Sequence, residues 1–186
     1  MLKTKISISP LFFAVLTLVL IFDKTGISNF ALLFSFLHEM GHFAALLCGK
    51  INPENISITI FGIHIRLPGN LSTKKKCVVL VAGFLVNFFL AALFFASGKT
   101  VFGYINLLIG IFTSLPIEST DGGEVFKAVL EELLSNKAEK FFRIVSGILS
   151  FIFSVVLVFL SVEANNCFIL LAVIYMIFCA IKTAVK

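Results

Sequence analysis

Hydrophobic and polar positions follow three different periods along this chain, and each period predicts a different element. Nearly unbroken apolar runs at Ile8–Phe22, Ile27–Cys48, Cys77–Ala96, Val101–Ile117, Phe141–Val162 and Cys167–Ile181 predict about six transmembrane helices of roughly 20 residues. Strict alternation in Ile56-Ser57-Ile58-Thr59-Ile60 and Ile63-His64-Ile65-Arg66-Leu67, folded about Phe61-Gly62, predicts a small membrane-associated β-hairpin over 56–67. A helical period over 122–140 places Val125, Phe126, Val129, Leu130, Leu133 and Leu134 on one face and Lys127, Glu131 and Glu132 on the other. That is the pattern of an amphipathic helix lying at a membrane interface. The expected fold is an all-α polytopic membrane protein, a single domain over 1–186 with no internal repeat, low-complexity tract or linker.

Composition agrees with the pattern: 59% of the 186 residues are hydrophobic, 13% are charged, and the mean hydropathy is +1.09. Such a chain is an integral membrane protein, and six spans leave no room for a separate soluble domain. The net charge of +5 is carried beside apolar segments and not in an aromatic-interleaved patch, so no nucleic acid partner is expected. Assigning loops alternately to the two sides puts 13 of the 15 basic residues on one side and leaves only Lys24 and Lys99 on the other. By the positive-inside rule both termini and the amphipathic helix are cytoplasmic. Lys74-Lys75-Lys76 reads as a topology anchor against anionic lipid of the bilayer. Lys3 and Lys5 ahead of the first run imitate a signal peptide, but Phe22-Asp23-Lys24-Thr25 offers no small-x-small cleavage site, so the first span is expected to be retained. Cys48, Cys77, Cys167 and Cys179 have neither metal-motif nor disulfide-scaffold spacing and read as small buried thiols.

Against this background His38-Glu39-Met40-Gly41-His42 stands out, an HExxH sequence inside an apolar span. Ionisable groups are costly in a bilayer, and their presence marks function. At roughly 100° per residue the two histidines lie about 40° apart on a helix, with Glu39 in the same third of the surface. Two imidazoles one turn apart can bind one zinc ion, and the neighbouring carboxylate can act as general base in peptide hydrolysis. The charge asymmetry puts the motif at mid-membrane or in the cytoplasmic half of the second span.

A catalytic zinc site normally has three protein ligands. The candidates for the third are His64, Glu118, Asp121 and Glu124. His64 falls in the hairpin beside Arg66, where a polar strand residue is the simpler reading. Asp121 follows a short fourth span that Pro116 ends, and irregular backbone below the membrane surface is tolerated where it lines a wet cavity. Gly122 and Gly123 would let the backbone approach a metal closely. The other reading of Asp121 is an N-terminal helix cap, and one carboxylate can serve both purposes.

HExxH on one membrane helix, with a proline followed five residues later by Asp-Gly on another, resembles the site-2 proteases, the intramembrane zinc metalloproteases of peptidase family M50. The likeness covers nearly the whole chain and is greatest to the compact sporulation branch that processes a sigma-factor precursor, in a form with neither a PDZ-like insertion nor a CBS domain. The family's Asn-x-x-Pro and Asp-Gly align with Thr113-Ser114-Leu115-Pro116 and Asp121-Gly122, and its Ala-Gly-Pro-x-x-Asn aligns with Ala82-Gly83-Phe84-Leu85-Val86-Asn87. Thr113 and Phe84 depart from the asparagine and proline of the pattern. The resemblance implies zinc held by His38, His42 and Asp121, Glu39 as base, a membrane-embedded or membrane-associated protein as substrate, and location in a bacterial cell membrane; with no appended regulatory domain expected, a separate inhibitory membrane partner stays open. It also implies that Asn87 faces the active site to hold substrate or the developing oxyanion. Read from the residues alone, a buried amide at that place bonds a neighbouring helix.

Two readings from other classes compete. A divalent-metal transporter would need polar residues at several depths, yet spans one, five and six are almost uniformly apolar. A catalytically dead homologue acting as a membrane binding protein is opposed by intact His38, Glu39, His42 and Asp121.

Overall fold

A computed structural model describes residues 5–23, 26–59, 62–118, 120–134 and 137–163, together with 173, 174 and 177. The predicted sixth span, Cys167–Ile181, lies almost wholly outside the described residues, as does the tip of the predicted hairpin. The chain divides into two compact units, Met1–Ile111 and Phe112–Lys186.

In the first unit, β1 (Lys5–Ile8) leads into α1 (Pro10–Phe22), α2 (Ile27–Cys48), β2 (Asn55–Thr59), β3 (Gly62–Arg66), α3 (Thr73–Ala96) and most of α4 (Thr100–Ser114). β1 corrects the sequence reading, which ran the first apolar span back to Ile8. Lys5-Ile6-Ser7-Ile8 alternates as β2 does and pairs parallel to it, whereas β2 and β3 pair antiparallel, so the hairpin is two strands of a three-stranded sheet ordered β1-β2-β3. The register brings Ile6, Ile8, Ile56, Ile58, Ile63 and Ile65 to one face and Lys5, Ser7, Asn55, Ser57, His64 and Arg66 to the other. Proline stands at the start of α1, where its missing N–H costs nothing and its fixed φ suits the helix.

α2 and α3 pack along stripes of small and polar residues. The buried positions of α2 are Phe34, His38, Gly41, His42 and Leu46, and those of α3 are Val79, Gly83, Asn87 and Ala91, spaced by four. A Cβ built on Gly41 would lie 2.6 Å from the Ala82 carbonyl oxygen, so the backbones approach as only a glycine contact allows. Phe30 and Phe34 of α2 meet Phe102 of α4 and Phe94 of α3, with ring centroids 4.5 Å apart for Phe30–Phe102 and 5.5 Å for Phe34–Phe94. This aromatic cluster fills the unit beyond the histidines.

In the second unit the 115–120 turn leads to α5 (Asp121–Leu134) and α6 (Ala138–Glu163). α5 ends at Leu134, short of the predicted Lys140, and α6 begins ahead of the predicted Phe141. Leu130, Ala138 and Phe142 form the core with Phe126 packed on them, whereas Val129 and Leu133 stay exposed. The apolar stripe of α5 is thus divided between its partner helix and the outside.

Three described helices, Ile27–Cys48, Thr73–Ala96 and Ala138–Glu163, are long and apolar enough to cross a membrane. The chain is an integral membrane protein. α1 and α4 are apolar but short, at 13 and 15 residues, or roughly 20 and 22 Å against a hydrocarbon core of about 30 Å.

Candidate metal centre between α2 and α3

His38 and His42 are each 5% exposed, buried where α2 crosses α3. A buried imidazole must find hydrogen-bond partners or lose the solvation of both nitrogens. α3 supplies one partner to each ring. His38 Nδ1 lies 2.7 Å from Asn87 Oδ1, and His42 Nδ1 lies 2.8 Å from the carbonyl oxygen of Val79. A carbonyl only accepts, so the His42 proton is on Nδ1 and Nε2 presents a lone pair. The rings stand at 84° to each other with Nε2 of His42 3.2 Å from Nε2 of His38. Both ring edges that remain after these bonds therefore turn toward one point.

Gly83 keeps that point open. A Cβ there would collide with Cε1 and Nε2 of His42 and come within 2.7 Å of His38 Nε2. The missing side chain is a cradle beside two imidazole nitrogens, and converging nitrogen donors next to such a cradle fit a zinc ion. Glu39 is the next residue of α2 after His38 and is half-buried.

The fold is similar to that of a site-2 protease. The structure in question is the Site-2 Protease from Methanocaldococcus jannaschii, matched with a TM-score of 0.64 at 18% sequence identity over 93% of this chain and 86% of that one. No protein-family model matches the chain, and no curated protein matches it.

Other residues singled out by sequence have these settings. Asp121 is the first residue of α5 and is half-buried, but it is not the cap. Thr120 is: its hydroxyl accepts from Gly123 N–H at 3.1 Å and shares its one proton between the carbonyls of Leu115 and Ile117, 2.7 and 2.9 Å away. Gly122 and Gly123 are required by close approach to the turn itself, since a Cβ on either would strike the carbonyl of Ser114 or Ile117. Ser146 of α6 holds the same turn by accepting from Glu118 N–H at 2.7 Å. His64 is exposed on β3 opposite Ser57. Thr113 and Phe84, the departures from the family pattern, are both half-buried, Thr113 in the last turn of α4 and Phe84 stacked edge-on near Phe88.

Asn87 does what a buried membrane amide ordinarily does, joining helices, and at the same time touches His38. Its Nδ2 donates to Asn106 Oδ1 at 3.2 Å and to the Phe34 carbonyl at 3.4 Å. Asn106, which the sequence reading missed, donates in turn to the Phe102 carbonyl at 2.9 Å. Its signal was present: Gly103, Asn106 and Gly110 form a small and polar stripe on an otherwise apolar helix, much as Gly83 and Asn87 do on α3.

Proposed function

We propose that the chain is a zinc-dependent intramembrane endopeptidase that hydrolyses a peptide bond of a transmembrane or membrane-associated protein. The observation that carries this reading is the convergence of two buried Nε2 atoms beside Gly83 in a fold similar to that of a site-2 protease. We take His38, His42 and Asp121 as the ligand set, two imidazoles and a carboxylate, a combination suited to catalytic zinc. Zinc bound there would supply a Lewis acid that polarises the scissile carbonyl and acidifies water.

The chain's own groups do the rest. Glu39 accepts a proton from the attacking water and passes it to the leaving amine nitrogen. His38 and His42 hold their donors in place through the Nδ1 bonds to Asn87 and Val79. A helical substrate conceals its peptide bonds in internal hydrogen bonds, so it must be extended before attack. β2 is paired on both sides, which leaves β3 as the strand of the former hairpin that lies at a sheet edge and makes it the place for an extended segment to add. In this reading both termini lie in the cytoplasm and the setting is a bacterial membrane, with room for a separate membrane protein as inhibitor.

Purified protein reconstituted with a membrane substrate tests the reading. Glu39→Gln is expected to keep its zinc and lose cleavage by about 10² to 10⁴-fold. Asp121→Ala is expected to lose both zinc and cleavage. Equal product from wild type and Glu39→Gln would remove the general base, and full zinc content in Asp121→Ala would remove the third ligand.

A further inference from the structure

We propose that Asn106 and Asn87 form a neutral amide relay that locks His38 in the Nδ1–H tautomer, making Asn106 a positioning residue for the metal centre without touching it. The inference rests on the reading of His38 as a ligand through Nε2 and names the device that presents that nitrogen.

The direction of every bond in the relay follows from its ends. The Phe102 carbonyl only accepts, so the group of Asn106 facing it at 2.9 Å is the NH₂, and Asn106 Oδ1 is turned toward α3. There it accepts from Asn87 Nδ2 at 3.2 Å, while a second hydrogen of the same NH₂ points at the Phe34 carbonyl, 3.4 Å away. With both hydrogens of Asn87 used, its Oδ1 is the atom left for His38 Nδ1 at 2.7 Å, and an amide oxygen can only accept. The proton is therefore on Nδ1. Reversing the Asn87 amide would set its oxygen against two other oxygens, in a place where both asparagines are 0% exposed and no solvent can compensate.

The two histidines are locked by different means. His42 is held by a main-chain carbonyl that substitution does not delete, whereas His38 depends on two side chains. Histidine in water favours the opposite tautomer, with the proton on Nε2, which here would donate to His42 Nε2 3.2 Å away and block the metal-facing edge; the Asn87 acceptor opposes that form. Metal-bound histidines commonly use a carboxylate, main-chain carbonyl or water for this purpose. Here amides replace the carboxylate, which spares a membrane interior an additional charge. The relay ends on main-chain carbonyls of α2 and α4, so the same bonds that set the tautomer hold three helices in register around it.

The test is the imidazole ¹⁵N spectrum of metal-free, histidine-labelled protein at alkaline pH, with His64→Gln used to assign the three histidines. His38 and His42 should both show the Nδ1–H pattern. In Asn106→Leu and Asn87→Leu, His38 should move to a tautomer mixture while His42 is unchanged, and zinc affinity in chelator competition should fall by about 10 to 100-fold. Asn87→Asp keeps an acceptor toward Nδ1 and should retain the wild-type tautomer; where the leucine variants fail to fold, the wild-type spectrum itself carries the test. A wild-type His38 protonated on Nε2, or the same tautomer in Asn87→Asp and Asn87→Leu, would overturn the proposal. Because the spectrum is taken without metal or substrate, its outcome is separate from that of the Glu39→Gln cleavage assay.

Discussion

Gly83 sets two effects against each other at a single residue. Alanine is the better helix former by roughly 0.5–1 kcal/mol, yet a Cβ at Gly83 enters the space bounded by the His42 ring and His38 Nε2. Gly83→Ala should therefore leave helix content intact while zinc affinity drops about tenfold or more. Gly147→Ala on α6 is the control, since a Cβ there meets nothing within 4 Å, and thermal melts with zinc titration will separate the two. Thr120 offers the corresponding case in the second unit: Thr120→Ala removes the hydroxyl that caps α5 and should cost about 1 kcal/mol, read as a lowered melting temperature. At this scale the histidines and Glu39 were legible because one turn of one helix brings them together. Asn106 was not, because its importance depends on a partner nineteen positions away in another helix.

Among the elements, the crossing of α2 and α3 decides whether the site exists. Gly41 lies against the Ala82 carbonyl and Val86 Cγ2, with a built Cβ only 2.6 and 2.8 Å from them. A methyl can rotate away, but a backbone carbonyl inside a helix cannot, so Gly41→Leu must push the helices apart. We expect a loss of about 1–3 kcal/mol and weaker zinc binding. Unchanged affinity would mean that the crossing does not position the rings. Periodicity located α2 to its ends, because length and apolar composition are properties of the segment itself. It missed β1, a four-residue strand whose alternation reads as the ragged start of a span until Ile6 and Ile8 are seen beside Ile56 and Ile58. Its alternative reading of Asp121 as the cap of α5 falls a residue late, because Thr and Asp are both good caps and only the hydrogen bonds of the turn choose between them.

For the whole molecule, the basic residues make orientation testable. Cys48, read from the sequence as a buried thiol, is exposed at the C-terminal end of α2, the end that loop alternation assigns to the basic side. In a variant carrying Cys77→Ala, Cys167→Ala and Cys179→Ala, a membrane-impermeant maleimide should label Cys48 from the cytoplasmic side alone. Labelling from outside intact cells would invert the topology. The sequence by itself determined that this protein enters a membrane, which segments are apolar enough to do so, and that two histidines one helical turn apart, with a carboxylate beside the first, lie within one of them. Each of those properties is local, set by hydrophobic runs and by the helical repeat. Only the tertiary structure decided which nitrogen of each histidine is presented, because that depends on acceptors carried by other segments, the Val79 carbonyl and the amide of Asn87 backed by Asn106. The same holds for Gly83, whose missing side chain acquires meaning only when another helix brings two imidazoles to it.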